Sequence, residues 1–177
     1  MSNSIVYATR QQIPEIAEFL DKSWKIEYRG IIDPEWLDSM VLSDRVDRLL
    51  QRFDSEDSEF FIAQEDSGIV GSDNCKIIGA AIFGKSFTDG YPDDGEISAI
   101  YLDTNHIGAG LGTRLLTSVE TRLLEKGYKY FILDVLAKNK RAITFYEKHG
   151  YKLVGETEIE LGGIDYPITI MRKRFDS

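Results

Sequence analysis

One short loop constrains the fold of this chain more than any other segment. Gly108, Gly110 and Gly112 stand at alternate positions, shortly after an apolar run at residues 96–102 and around the start of an amphipathic segment that begins at Leu111. Glycines lack a Cβ, so several backbone N–H groups of such a turn can approach one anion. A helix that starts there adds its unsatisfied N–H groups and the positive end of its dipole. The pattern predicts a strand, a phosphate-binding loop and a helix, and it also fits a tight turn without a ligand.

Two common phosphate-binding motifs fit this loop poorly. A Walker A loop has Lys followed by Ser or Thr after its last glycine, whereas Gly112 is followed by the pair Thr-Arg. A dinucleotide fingerprint opens directly from its strand, whereas five residues separate Leu102 from Gly108. Asp134 lies near the position expected for the acidic residue of that fingerprint, but the glycine spacing disfavours a dinucleotide site.

The residues after the loop complete a second pattern. A strand-like run at residues 130–135 precedes the segment at residues 139–151, which reads N-x-x-A-x-x-F-Y-x-x-x-G-Y. Together with the glycine loop, this order resembles the GNAT superfamily of acyl-CoA-dependent N-acyltransferases. The resemblance extends over roughly residues 4–174 and is strongest at residues 74–155. It departs from the family at Ile107, where the family often has Gln or Arg, but the backbone donors of the loop do not depend on that side chain.

The resemblance implies that acetyl-CoA is the acyl donor. Its pyrophosphate is expected on the glycine loop, and its pantetheine arm along the preceding strand, as an added strand. The expected cofactor-binding residues are Ile100, Leu102, Gly108, Gly110, Gly112, Thr113 and Asn139. The Leu102 N–H is also a candidate for polarising the thioester carbonyl. Arg114 and Arg141 suit the 3′-phosphate or are simply solvated, and the spacing around His106 and His149 predicts no metal.

The same resemblance assigns the chemistry. Amide formation from a thioester needs a neutral amine and a proton donor for the leaving thiolate. The family often places its base, frequently acting through water, at the position of Glu96, and its general acid at the position of Tyr146. We expect these two residues to be catalytic and Phe145 to pack in the core. Glu96 also suits a polar turn residue, and Asp94, Tyr28 or an amine that arrives partly neutral are the competitors.

The acceptor is expected beside two N-terminal helices. Trp24, Tyr28 and Trp36, with acids around them, resemble a helix–loop–helix that walls the acceptor site in one group of GNAT proteins. Aromatic and acidic side chains suit a cation with an apolar body. Trp24 and Tyr28 are therefore candidate substrate-binding residues, although the two tryptophans also suit packing between helices.

Three functions are compatible with these motifs. The first is acetyl transfer to the primary amine of a small molecule, polyamine-like or otherwise cationic, or of a peptide, by direct attack in a ternary complex. The second is an inactive CoA-binding sensor or regulatory module of the same fold, which the presence of Tyr146 and Asn139 disfavours. The third, a nucleotide-binding domain of another kind, is disfavoured by the glycine spacing.

Charge and composition narrow the classes further. A formal net charge of −9 disfavours nucleic-acid binding and suits a cationic substrate, although an acidic solvated surface explains it equally. No apolar run reaches membrane-spanning length, and the first residues lack signal-peptide features. The single cysteine, Cys75, is typical of a structural thiol and fits a reducing compartment. We expect a cytoplasmic protein, with a homodimer left open.

Hydrophobic periodicity and turn signals predict the order strand, two helices, three strands, helix, strand, helix and two strands. The strands are expected at residues 5–9, 59–65, 75–84, 96–102, 130–135, 151–161 and 165–174. The helices are expected at residues 11–28, from Asp33 onward, at 111–126 and from Asn139 to Gly150. We therefore expect one domain over residues 1–177 with an α+β fold, in which a mixed, mostly antiparallel sheet of about seven strands is flanked by four helices.

Overall fold

The computed structural model describes residues 3–66 and 75–175, which form seven strands and five α-helices. In chain order these are β1 (Asn3–Tyr7), α1 (Ile13–Glu27), α2 (Pro34–Ser39), α3 (Leu42–Asp54), β2 (Ser58–Asp66), β3 (Cys75–Lys85), β4 (Gly95–Leu102), α4 (Leu111–Glu125), β5 (Tyr130–Leu136), α5 (Lys140–Lys148), β6 (Lys152–Leu161) and β7 (Ile164–Arg174). Short 3₁₀ turns lie at Arg10–Gln12 and Thr104–His106. The predicted hairpin loop between β2 and β3 lies outside the described residues.

The strands form one sheet in the order β1-β2-β3-β4-β5-β7-β6. Every neighbouring pair is antiparallel except β4 and β5, which run parallel. The pairing of β4 with β5 is short, since it joins only Gly95 to Phe131 and Glu96 to Ile132. Beyond this point the two strands separate, and their facing edges open a cleft in the middle of the sheet.

Helices cover both faces of the sheet. On one face α4 and α5 enclose an apolar cluster that includes Phe83, Ile97, Leu115, Leu116, Val119, Phe131, Leu133, Tyr146 and Tyr151. On the other face α1 and α3 enclose a second cluster that includes Ile13, Ile16, Leu20, Phe60, Ile62 and Ile82. Removal of this apolar surface from water, worth about 25 cal/mol per Å², supplies the main stabilising contribution to the fold. The two layers hold the strands of the cleft from both sides.

Helix boundaries follow the predicted capping residues. Asp33 accepts a hydrogen bond from the Trp36 N–H at 3.0 Å, and Asn139 accepts one from the Ala142 N–H at 3.1 Å. The second predicted helix is divided, because Met40 adopts an extended conformation with φ −60° and ψ 128° between α2 and α3. The described chain therefore has five α-helices instead of four, while the α+β class and the mixed, mostly antiparallel seven-stranded sheet are confirmed.

β4 contains a bulge at Ser98. Phe83 pairs with Ile97 and Ile82 pairs with Ala99, so the register with β3 passes over Ser98. Ile97 packs on the α4–α5 side of the sheet, whereas Ala99 packs on the α1–α3 side and the Ser98 hydroxyl contacts α3. The bulge therefore directs two consecutive side chains toward the same face of the sheet.

Candidate active site

The separation of β4 from β5 creates a cleft with a volume of about 340 Å³. Its walls come from both strands, from the C-terminal end of α1, from α5 and from the glycine loop. Several predicted site residues line it directly: Tyr28, Ile100, Leu102, Gly112, Asn139 and Tyr146. The cleft thus brings together residues that lie far apart in the sequence.

The glycine loop has the geometry of an anion site. Gly108 and Gly110 adopt left-handed conformations, with φ of 85° and 80°, and no atom lies within 4 Å of where their Cβ atoms would be. The first backbone hydrogen bond of α4 runs from the Arg114 N–H to the Gly110 carbonyl at 3.1 Å. Consequently, the N–H groups of Leu111 and Gly112 have no backbone acceptor among the described residues. Open space and free donors at the positive end of a helix dipole favour a phosphate.

Thr113 is held by a second helix. The His149 Nδ1 lies 2.7 Å from the Phe145 carbonyl, so in the neutral imidazole Nδ1 carries the proton and Nε2 is an acceptor. The Thr113 hydroxyl, 3.0 Å from Nε2, therefore donates to it. This contact joins α4 to α5 behind the loop, so Thr113 can offer a phosphate its N–H but not its hydroxyl proton.

The edge of β4 that faces the cleft carries free backbone groups. The Asp103 N–H donates to the Ile78 carbonyl at 2.8 Å, which directs the backbone of Asp103 toward β3. Because backbone groups alternate along a strand, those of Leu102 and Ile100 point the other way, toward the separated β5. Both predicted pantetheine contacts therefore lie on the open edge.

Tyr146 lies at the floor of the cleft. Its side chain is 8% exposed and its ring packs edge-on against Phe145 and Tyr151, with centroid distances of 5.2 and 5.5 Å. Burial, followed by the nearby Tyr28, raises the pKa of Tyr146 above the ordinary value of a phenol. The hydroxyl makes no hydrogen bond to a described residue. A buried, protonated and unengaged hydroxyl in a cleft has the properties of a proton donor.

Glu96 lies behind the cleft wall, within a network of donors. One carboxylate oxygen accepts hydrogen bonds from the Phe87 N–H at 2.7 Å and from the Thr88 hydroxyl at 3.2 Å. The other accepts one from the Ser98 hydroxyl at 2.8 Å. Ser98 lines the cleft, whereas Glu96 itself does not. A proton from the cleft can therefore reach Glu96 through a hydroxyl or a water, not by direct contact.

Asp134 faces the cleft from β5. Its carboxyl is accessible from the cleft, yet the surrounding protein displaces enough water that burial, followed by the negative charge of Glu96, raises the pKa of Asp134. No described Lys or Arg forms an ion pair with it. The two carboxylates lie on neighbouring parallel strands, two residues out of register, because Glu96 pairs with Ile132. Asp134 therefore gives this wall of the cleft a negative charge that no described ion pair neutralises.

Asn139 has two roles in the structure. It caps α5, and its side-chain amide donates to Glu27 at 3.0 Å. Arg141 also donates to Glu27, which lies at the end of α1. Arg141 is thus engaged by an acid, and Arg114 donates to the carbonyl of Asn3 at 3.1 Å. The structure provides partners within the chain for both arginines that the sequence associated with the 3′-phosphate.

The two predicted substrate-binding residues lie in different places. Tyr28 lines the cleft, and its hydroxyl lies 2.7 Å from that of Tyr101 on β4. Burial raises the pKa of both phenols. Trp24 does not line the cleft; it packs edge-on against Tyr28 at 5.0 Å and lies under the guanidinium of Arg45. Trp36 likewise packs in the apolar cluster between α1, α2 and β7.

Asp94, the competing candidate base, is not part of the cleft. Its side chain is 3% exposed and forms a bidentate ion pair with Arg172 at 2.6 and 2.8 Å. The ion pair joins the turn before β4 to β7, and Arg172 also lies 3.9 Å from the ring centroid of Tyr130. A buried carboxylate held by two charge-assisted hydrogen bonds has a structural role.

Glu27, Arg52 and Ser98 are not marked as site residues by any sequence pattern, and the position of Asp134 in the sequence suggests only a dinucleotide site. Asp134 carried a detectable signal, since a charged residue interrupts the apolar run of β5. Glu27 had no such signal, because its partner Asn139 is distant in the sequence. Ser98 had none either, because its position depends on the bulge in β4.

Similarity to known proteins agrees with this geometry. Residues 17–151 match the model of the acetyltransferase (GNAT) family. The uncharacterized N-acetyltransferase YuaI of Bacillus subtilis is 30% identical over 159 residues, which is 89% of this chain and 84% of that protein. The spermidine N(1)-acetyltransferase of Thermoplasma acidophilum is 25% identical over an alignment of 182 positions, which covers 100% of this chain and 100% of that protein.

A solved structure agrees as well. The PaiA N-acetyltransferase of Thermoplasma acidophilum, in complex with coenzyme A, superimposes with a TM-score of 0.76 at 25% identity, over 99% of this chain and 100% of that one. Within residues 3–66 and 75–175, no helix has the length and apolar character that a membrane crossing requires. The same residues contain no group of three or more His, Cys, Asp or Glu side chains suited to a metal ion. Taken with the split sheet and the glycine loop, these similarities show that the chain belongs to the GNAT family of acetyl-CoA-dependent N-acetyltransferases.

Proposed function

We propose that this chain, acting as one domain over residues 1–177, transfers the acetyl group of acetyl-CoA to a primary amine of a small cationic molecule. The amine nitrogen attacks the thioester carbonyl, so a C–N bond forms and the C–S bond breaks. The proton of the amine leaves toward Glu96, and the thiolate receives a proton from Tyr146. Cys75, the only cysteine of the sequence, lies at the start of β3 outside the cleft, which supports direct attack in a ternary complex.

The proposed cofactor position rests on free backbone groups. The pyrophosphate occupies the open space beside Gly108 and Gly110 and accepts from the N–H groups at the start of α4. The pantetheine arm pairs with the open edge of β4 at Ile100 and Leu102. Asn139 lines the cleft near this path, although its amide already donates to Glu27, so a cofactor contact requires the amide to be shared.

The proposed acid lines the cleft, whereas the proposed base lies behind its wall. Tyr146 lines it and is protonated at neutral pH, because burial raises its pKa. Glu96 communicates with it through the Ser98 hydroxyl or through water. Such an arrangement moves a proton over a short chain without placing a carboxylate beside the thioester.

The proposed acceptor class rests on the carboxylate of Asp134, which lines the cleft. This carboxylate has no described cationic partner, and the charge of Glu96 acts on it from the neighbouring strand. A carboxylate without an ion-pair partner in the cleft, with the charge of Glu96 behind the wall, favours a cationic guest over a neutral one. Tyr28 supplies an aromatic wall of the same cleft. Because a polyamine has a second ammonium group that can pair with Asp134 while its first amine reacts, we expect a polyamine-like substrate.

An acceptor panel tests this function. Purified protein is mixed with acetyl-CoA and with polyamines, aminoglycosides, amino acids or N-terminal peptides, and free thiol release is followed. We expect the highest kcat/KM with polyamines and a large loss when the second ammonium group is replaced by a methyl group. Turnover of neutral or anionic amines at equal rates would refute the proposed acceptor class. Binding of acetyl-CoA without turnover of any acceptor would favour the sensor or regulatory module.

A further inference from the structure

We propose that Arg52 is a positioning residue for the base: it acts through Ser98 to orient the Glu96 carboxylate and places a positive charge near it. This inference rests on the proposed role of Glu96. Arg52 belongs to α3, outside the glycine loop, β4 and α5, which supply the proposed cofactor contacts and the proposed acid.

The contacts form a directional chain. The Arg52 guanidinium donates through one nitrogen to the Ser98 hydroxyl oxygen, and through another to the Ser58 hydroxyl oxygen at 2.8 Å. Because Ser98 accepts from Arg52, its own proton is directed to Glu96, at 2.8 Å. Arg52 therefore determines which way the Ser98 hydroxyl points, and Ser98 carries that orientation to the carboxylate.

Arg52 also supports the loop that completes the network. Its guanidinium lies 5.6 Å from the ring centroid of Phe87, whose side chain is 61% exposed. The N–H of this residue donates to Glu96 at 2.7 Å. A single guanidinium thus contacts both the hydroxyl and the loop that supply donors to Glu96.

One positive and one negative side chain act on the Glu96 carboxylate. Arg52 is the cation that acts on Glu96 from α3, while Asp134 acts on it as an anion from β5. The described groups that donate hydrogen bonds to the carboxylate, the Phe87 N–H and the hydroxyls of Thr88 and Ser98, are all neutral. The guanidinium of Arg52 is half-buried, and this burial lowers its pKa because the charged form loses contact with water. The charge of Glu96 offsets part of this cost. A surface ion pair would not need this burial.

Arg52→Met tests the inference, with Arg48→Met as the matched control, because Arg48 is an exposed arginine on the same helix. The measurement is kcat/KM for the amine across pH at saturating acetyl-CoA. Loss of a nearby positive charge makes a carboxylate easier to protonate, so the acidic limb of the profile should move to higher pH by about one unit in Arg52→Met. Arg48→Met should leave the profile in place, and acetyl-CoA affinity, measured by calorimetry, should stay within about twofold in both variants.

Ser98→Ala keeps Arg52 but removes the hydroxyl that joins Arg52 to Glu96. It should move the acidic limb in the same direction, and Arg52→Met combined with Ser98→Ala should lose less activity than the product of the two single losses, because both act through one chain of contacts. The inference would be refuted, and the proposed base retained, by two results together. Arg52→Met would melt normally and leave the acidic limb of the pH profile in place, while Glu96→Gln would lose activity. Full activity in Glu96→Gln would refute the proposed base, and the inference with it.

Discussion

At the scale of single residues, two carboxylates on neighbouring strands have opposite surroundings. Glu96 receives hydrogen bonds from Phe87, Thr88 and Ser98. Asp134 forms no ion pair with a described residue, and burial and the charge of Glu96 raise its pKa. The first arrangement stabilises a fixed anion, whereas the second leaves an anion whose stabilisation depends on a cation from solution.

Asp134→Asn should therefore weaken substrate binding and strengthen the fold. Without the carboxylate, KM for a cationic amine should rise by about tenfold, close to the value of one charged contact. Because the folded-state pKa of Asp134 is raised, its ionisation disfavours folding: the stability present below about pH 4 is lost as the pH rises through the folded pKa. Asn avoids this loss, so the variant should be at least as stable as the parent at pH 7.

Denaturant unfolding at pH 7 and at about pH 4 checks the sign of this effect. Any advantage of the Asn variant should shrink at the lower pH, where the aspartate of the parent is increasingly protonated. A variant less stable than the parent at pH 7 would show that Asp134 has a structural partner. An unchanged KM would remove Asp134 from the acceptor site.

Residue roles were predictable where a local pattern marks them. The N-caps at Asp33 and Asn139 follow from short-range side-chain chemistry, and the structure confirms both. The contact between Asn139 and Glu27 could not be predicted, because 112 residues separate them and each side chain has a sufficient local explanation. The engagement of Arg141 by Glu27 was hidden for the same reason.

At the scale of secondary-structure elements, the glycine loop and α4 act as one unit. Gly110 lies at the N-terminus of α4 with φ 80°, beside open space. Gly112, inside the helix, has a different reason to lack a Cβ, since an added Cβ would lie 3.3 Å from the Leu102 side chain and 3.5 Å from Phe145. The first glycine serves the loop and the second serves packing of α4 against β4.

Gly110→Ala should weaken acetyl-CoA binding by more than tenfold, because the added methyl group and the strained left-handed backbone disturb the proposed pyrophosphate site. Gly163→Ala is the matched control: Gly163 has φ 79°, open space around its Cβ position and a place in the turn between β6 and β7. Both variants should lose a similar stability, about 1–2 kcal/mol, from left-handed alanine. Only Gly110→Ala should lose affinity in calorimetry, and equal affinities in the two variants would contradict the phosphate site.

Element boundaries show what periodicity can predict. The glycine loop, the amphipathic α4 and the last hairpin were predictable, because each has a local signal of glycine spacing or apolar repeat. The division between α2 and α3 was not, since Met40 is an ordinary helix-forming residue that the surrounding packing holds extended. The bulge at Ser98 was also hidden, because a one-residue shift in register leaves no mark on a short apolar strand.

At the scale of the whole molecule, function depends on a sheet that is closed at one end and open at the other. β4 and β5 pair only at Gly95 and Glu96, and the strands beyond diverge to form the cleft. Near the closed end, Asp94 and Arg172 join the turn before β4 to β7. This ion pair stabilises the junction from which the two strands diverge.

Asp94→Ala should destabilise the protein by about 2–3 kcal/mol, somewhat less than the loss of a fully buried ion pair, because the Arg172 side chain is 28% exposed. The matched control is Asp93→Ala, which removes an exposed aspartate from the adjacent position. Urea unfolding provides the measurement. Equal stability of the two variants would mean that Arg172 finds another partner, and retention of activity by folded Asp94→Ala would agree with its place outside the cleft.

In the proposed reaction Tyr146 protonates the departing CoA thiolate, and Tyr146→Phe removes the hydroxyl that would do so. Tyr151→Phe is the matched control, since it removes a buried hydroxyl, bonded to Glu120, from a ring 5.5 Å away in the same cluster. We predict that Tyr146→Phe lowers kcat and kcat/KM alike by about 10²-fold while acetyl-CoA affinity is retained, as expected for an interaction made in the transition state. Tyr151→Phe should lose stability but little turnover. Near-normal kcat in Tyr146→Phe would contradict this role of Tyr146 and show that water or the substrate supplies the proton.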